Sequence, residues 1–110
     1  MVSYLDQLPA GTVVVDCGCG NGRYMSPPGK RPSLTLGNDV CHRFVEICML
    51  DKGMEAVWAD TLRLPWRDAC ADVAISIAVL HHIATEERRL MVVKELARVV
   101  KPGGEILLEG

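Results

Sequence analysis

The chain has 110 residues, 49% of them apolar, which suits one domain with a real core. Its 12 basic and 14 acidic residues leave a net charge of −2. That balance gives no global footprint for nucleic acid and confines any polyanion contact to local arginines or a second subunit. No apolar run approaches the roughly 18 residues of a membrane span, and the start MVSYLDQLPAG lacks the basic and long apolar segments of a secretory signal.

In chain order, residues 12–17 (TVVVDC) are β-branched and predict a buried strand. Asp16 is followed by Gly18, Gly20 and Gly22 in the pattern D-x-G-x-G-x-G. The loop SPPGKRP (26–32) stands where a helix would otherwise run, and its three prolines leave room for about one helical turn. Residues 33–38 (SLTLGN) alternate as a second strand, and 43–52 (RFVEICMLDK) predict a short amphipathic helix closed by Gly53. Residues 54–59 (MEAVWA) and 72–79 (DVAISIAV) predict the third and fourth strands. Thr85 caps a helix to about Val100, with Leu90, Val93, Leu96, Ala97 and Val100 at helical spacing. Lys101-Pro102-Gly103-Gly104 ends that helix, and EILLE is the fifth strand. The alternation argues for a parallel sheet with helices on its faces, with no repeat or linker dividing residues 1–110.

The stretch VVVDCGCGNGRY admits three readings: a nucleotide cradle, a pair of metal-binding cysteines, or a tight turn. A dinucleotide fold spaces its glycines G-x-G-x-x-G and aims amides at a pyrophosphate. Here the spacing is shorter, and an acid beside phosphates would be repelled. Asp16 and the alternating glycines, with Asn21 among them, suit a ligand that carries a cationic amino group and no phosphate, as S-adenosylmethionine does. Asp39, next to Val40, closes the second strand, where a carboxylate can accept from both ribose hydroxyls. Asp60 closes the third strand in ADTLRLP and can take the adenine amino proton, with Thr61 and Leu62 beside it. The fourth strand ends in SIAVLHH at the same edge, which adds Ser76 and Ile77 to the candidate cofactor residues. Singly, Asp39 could cap the next helix and Asp60 a turn. Together, at successive strand ends, the acids fit one nucleoside.

The five cysteines, Cys17, Cys19, Cys41, Cys48 and Cys70, are odd in number and show no CxxC pair, which favours a reduced, intracellular compartment. Cys17 and Cys19, with Cys41-His42, raise a metal site. No four-ligand spacing closes it, so no metal is expected and the cysteines read as small packing residues.

DCGCGNG, the acid at 39, ADTLRLP, LHH and VVKPGGEILL resemble, in that order, the class I S-adenosylmethionine-dependent methyltransferases. GCGNGRY (18–24), ISIAVLHHIATEERR (75–89) and RRLMVVKELARVVKPGG resemble more narrowly the eukaryotic tRNA wobble-uridine methyltransferases, which esterify 5-carboxymethyluridine. The same domain occurs fused to an oxygenase in animal homologues. The resemblance implies an α/β, Rossmann-like domain with a mostly parallel, doubly wound sheet, S-adenosyl-L-methionine as cofactor, and a tRNA substrate. It also implies a cytoplasmic location, with the nucleus open as a second one, and no membrane association. It places His81, His82, Arg88 and Arg89 near the tRNA-facing mouth as substrate-positioning candidates. Arg23 and Tyr24 would line that mouth, Tyr24 by stacking on a base. Plainer readings stand beside these: histidines that pack or cap, and Glu86, Glu87, Arg88 and Arg89 as a solvated helix face. The resemblance further implies a small zinc-binding activator protein that adds a strand along residues 54–59.

The family's helix before the first strand is nearly absent here. The family also continues past LLEG, so truncation after the fifth strand is expected. Two alternatives to the tRNA reading are a methyltransferase on a small metabolite and a non-catalytic methyltransferase fragment.

Overall fold

Three adjacent β-branched residues, Val13 to Val15, favour extended backbone, and they form the middle strand of the domain. In the computed structural model, which describes residues 2–77 and 85–109, β1 (Val13–Cys17) lies between β2 (Leu34–Asp39) and β4 (Ala71–Ile77). β3 (Glu55–Trp58) flanks β2 and β5 (Val100–Glu109) flanks β4, giving the order β3-β2-β1-β4-β5. Every pairing is parallel. The edges are β3 and β5.

Successive strand residues face opposite sides of a sheet, so the register sorts the core. Asp16 pairs with Gly37 and Ile75, and Gly37 pairs with Ala56. This row faces α1 (Val2–Asp6) and α2 (His42–Glu46), with Leu5, Val14, Val73 and Ile75 packed together. Cys17 pairs with Asn38 on the opposite face. There Val15, Cys17 and Ala74 pack on Val92, Leu96 and Val99 of α3 (Glu86–Val99). Arg98 of α3 donates to the carbonyls of Leu64 and Trp66 and to the carboxylates of Glu95 and Asp68, which fastens the 64–70 segment over that face.

Three local expectations change. The predicted helix over 43–52 is two pieces: α2, then a π-helical turn over Ile47–Asp51 in which Lys52 N–H donates to the Ile47 carbonyl. The wider turn lets Met54 N–H reach the Cys48 carbonyl, and Gly53 at φ +64 closes it. The α3 face turned to the sheet is Val92, Leu96 and Val99, whereas Leu90, Val93 and Ala97 are exposed. Apolar residues lie on several sides of this helix, so spacing alone could not choose the buried stripe. Lys101 to Gly104 belong to β5, which begins at Val100.

There β5 bulges: Ala71 pairs with Val100, but Val73 pairs with Glu105. Asp72, between them, accepts from Val13 N–H at 2.8 Å and from Lys101 Nζ at 3.4 Å. Gly104 sits so close that a Cβ would meet the Asp72 carbonyl and Val100 Cγ1, both at 2.6 Å. Gly104→Ala should therefore destabilise the domain by roughly 1–3 kcal/mol through backbone displacement, read as a lower urea midpoint. An unchanged midpoint would show that the bulge does not need the bare backbone.

Candidate functional site

The loops after β1, β2 and β3 leave from the carboxyl end of the sheet, where open α/β sheets bind ligands. Their mutual placement comes from β2. The Asn38 carbonyl accepts from the N–H groups of Gly18 and Cys19, both at 2.8 Å. Asp39 Oδ2 accepts from Gly20 N–H at 2.8 Å and Oδ1 from Cys41 N–H at 2.8 Å. Asp39 thus ties the glycine loop and also fixes the approach to α2, the plainer role considered for it; the α2 N-cap itself is Cys41. A carboxylate has about four lone-pair sites, so both oxygens retain capacity for ribose hydroxyls.

Gly18, Gly20 and Gly22 have φ of +82°, +57° and +88°, which other residues adopt only with strain. They differ in surroundings. A Cβ on Gly22 would collide with Met54 Sδ at 2.7 Å and crowd Cys48 Sγ at 3.1 Å, so this glycine seats the loop on Met54 and the π-helical turn. A Cβ on Gly20 would meet nothing within 4 Å, so this glycine faces open space. Lys52 Nζ donates to the Asn21 carbonyl at 2.7 Å at the loop's far end.

Asp16 is buried on β1, and its Oδ2 has no hydrogen-bond partner among the described residues. Burial, and then the nearby Asp39 carboxylate, push its pKa up to about 7. An unpaired, desolvated carboxyl of this kind is stabilised in its charged form by a cation. Asp60, exposed after β3, accepts from Leu62 N–H at 2.9 Å and so caps a 3₁₀ turn over Thr61–Arg63. Thr61 is buried and Leu62 half-buried. Val40 is exposed, and its carbonyl accepts from Trp58 Nε1 at 2.8 Å.

The remaining candidates are spread more widely. Ser76 is wholly buried on the α3 face, with Oγ unpartnered among the described residues, and Ile77 packs toward α1. Tyr24 is half-buried against the Leu5 cluster, with the Arg23 guanidinium 5.3 Å from its ring centroid. Arg88 and Arg89 are exposed in the first turn of α3, where Arg88 N–H donates to the Thr85 cap. His81 and His82 lie outside the described residues.

Cys17 packs in the α3-side core, and Cys19 packs with Cys48 and Met25 near α2. Burial pushes both thiols up, which keeps them protonated and weakly nucleophilic. Among the described residues, no group of three or more His, Cys, Asp or Glu could hold a metal ion.

Two residues escaped the reading of the sequence. Asn38 is wholly buried, and its Nδ2 donates to the Ala59 carbonyl at 3.3 Å and to Thr61 Oγ1 at 3.2 Å. Gly37 lets Met25 and Cys19 close on β2, since a Cβ there would lie 2.5 Å from Met25 Sδ. A glycine inside a strand, followed by a polar residue at its buried end, was the available signal.

Acids at three neighbouring strand ends, one of them buried with an oxygen unpaired among the described residues, together with an open-faced glycine, are a set of acceptors of the kind a cationic, phosphate-free nucleoside such as S-adenosylmethionine needs. The sheet and this loop define the class I methyltransferase architecture. Residues 15–108 match the family described as methyltransferase domain, and the chain belongs to it.

Over 109 residues the chain is 49% identical to the tRNA (carboxymethyluridine(34)-5-O)-methyltransferase of Arabidopsis thaliana, covering 98% of this chain and 26% of that protein. It is 41% identical over 108 residues to the mouse tRNA (carboxymethyluridine(34)-5-O)-methyltransferase ALKBH8, covering 98% of this chain and 16% of that one. The chain therefore spans about a quarter or less of the length of these relatives. A Haloferax volcanii chain, solved in complex with the Trm112 methyltransferase activator, has the same fold with a TM-score of 0.77. The two are 22% identical, over 97% of this chain and 48% of that one.

The raised pKa of Asp16 makes stability depend on pH. The unfolded carboxyl ionises near 3.8 and the folded one near 7, so between these values the native state holds a proton that the unfolded state has lost. Stability should fall as pH rises through this window, by roughly 3–5 kcal/mol in full. Asp16→Asn should remove that slope in urea titrations from pH 5 to 8. An unchanged slope in the variant would show that Asp16 is not the group responsible.

Proposed function

We propose that this chain is the cofactor-binding core of a methyltransferase that esterifies the carboxylate of 5-carboxymethyluridine at the tRNA wobble position. The observation that carries the reading is near-complete coverage of the chain, at 49% identity, by a relative of that name.

The cofactor supplies an electrophilic methyl on a sulfonium. Asp16 would neutralise its ammonium, Asp39 would hold its ribose and Asp60 would accept from its adenine amino group. A carboxylate nucleophile with a pKa near ~4 is already ionised at neutral pH, so no general base is needed. Catalysis then consists of holding the nucleophile in line with the methyl–sulfur bond. Arg88 and Arg89, at the first turn of α3, suit an anion-holding role because guanidinium pairs bidentately with carboxylate or phosphate. Arg23, at the exit of the glycine loop, extends the positive rim, and His81 and His82 are assigned to positioning the same substrate.

The partner we propose is a small zinc-binding activator that adds a strand to β3. This strand is a sheet edge of four residues, with Val57 42% and Trp58 64% exposed, and an apolar edge invites pairing.

The test is methyl transfer from labelled S-adenosylmethionine to bulk tRNA of a strain lacking the modification, with and without the activator. The expected product is a labelled wobble-uridine ester, released by mild alkali, and Val57→Asp should lose both co-purification and activation. A chain that binds the cofactor yet labels no tRNA with activator present would refute the substrate assignment. Undiminished co-purification of Val57→Asp would refute the β3 contact.

A further inference from the structure

We infer that Asn38 is a specificity-positioning residue: its buried side-chain amide holds the turn that presents Asp60, and thereby sets discrimination for adenine. This rests on the cofactor reading above.

Asp60 is exposed and follows an edge strand of only four residues, so its own strand restrains it weakly. The two residues that bracket it are both tied to Asn38, with Nδ2 donating to the Ala59 carbonyl on one side and to Thr61 Oγ1 on the other. Ala59 N–H also donates to the Asp39 carbonyl at 3.1 Å. The orientation of the amide is set by chemistry. Turning it over would bring its oxygen against the Ala59 carbonyl, with no proton between two acceptors. Asn38 is 0% exposed and Thr61 6% exposed, so water cannot replace these bonds cheaply.

The backbone carbonyl of the same residue accepts from Gly18 and Cys19 in the glycine loop. One residue therefore registers the adenine side of the site against the side that receives the ammonium. A carboxylate that accepts an amino proton rejects a ring bearing a carbonyl in that place, but only if the carboxylate is held where the amino group arrives. Freeing the turn should erode that rejection more than it erodes affinity as such.

The test compares S-adenosylhomocysteine with S-inosylhomocysteine, in which a carbonyl replaces the adenine amino group, by calorimetry on the full chain. Wild type should prefer the adenosyl ligand by tenfold or more. Asn38→Leu removes both donors at similar volume, and Thr61→Val removes one acceptor at nearly constant shape. Both should bring the ratio of the two Kd values down by about tenfold or to near one, whereas Thr61→Ser, which keeps the hydroxyl, should preserve it. A merely structural role would weaken both ligands equally and leave the ratio unmoved. Folded variants that keep the wild-type ratio overturn the inference, and Thr61→Val decides if Asn38→Leu does not fold. Wild type that binds neither ligand overturns the cofactor reading and this inference together. Wild type that discriminates while the variants discriminate equally overturns this inference alone.

Discussion

The end of β2 is the constraint on which the site depends. Asn38 and Asp39 accept the N–H groups of Gly18, Cys19, Gly20 and Cys41, and Asn38 reaches on to Ala59 and Thr61. Three loops that follow three different strands are thus referenced to two consecutive residues. Ligand-binding loops are drawn from the less stable parts of a fold, and here they gain order by hydrogen bonds to a strand flanked on both sides. The proline-rich connection after the glycine loop makes this necessary. With no helix between β1 and β2 to carry the loop, Met25 and Cys19 seat it on the bare backbone of Gly37 instead.

Asp16 supplies the chemical demand in that frame. A buried carboxyl with an oxygen unpaired among the described residues, and beside a second acid, disfavours its own charge. On the proposed reading, a cationic ligand group would relieve this cost. Buried carboxyls near neutral pKa recur at functional sites for that reason. The cysteines around it, by contrast, divide between two packing clusters, Cys17 on the α3 side and Cys19 with Cys48 near α2.

Much of this was legible before any coordinates. The strands and their parallel arrangement follow from apolar runs that alternate with helical stretches, and the acids at 16, 39 and 60 stand out because each lies at or just past the end of such a run. What was not legible depended on tertiary partners. The buried stripe of α3 could not be chosen while apolar residues lay on several sides of the helix. The entry of Lys101 to Gly104 into β5 depends on Asp72 of the neighbouring strand. Tyr24, expected at the substrate mouth, spends part of its ring on the Leu5 cluster. Asn38 stood only as the last residue of the predicted second strand, because its side-chain role is made of contacts about twenty residues away.

The central claim is that the strand-end acids form one nucleoside site, with Asp39 at its middle. Calorimetric titration of S-adenosylmethionine into wild type and into folded Asp39→Ala tests it most directly. Charge-assisted hydrogen bonds contribute about 1.5–3 kcal/mol each, so the variant should bind at least ~10-fold more weakly. Equal affinity in the two proteins would contradict the account.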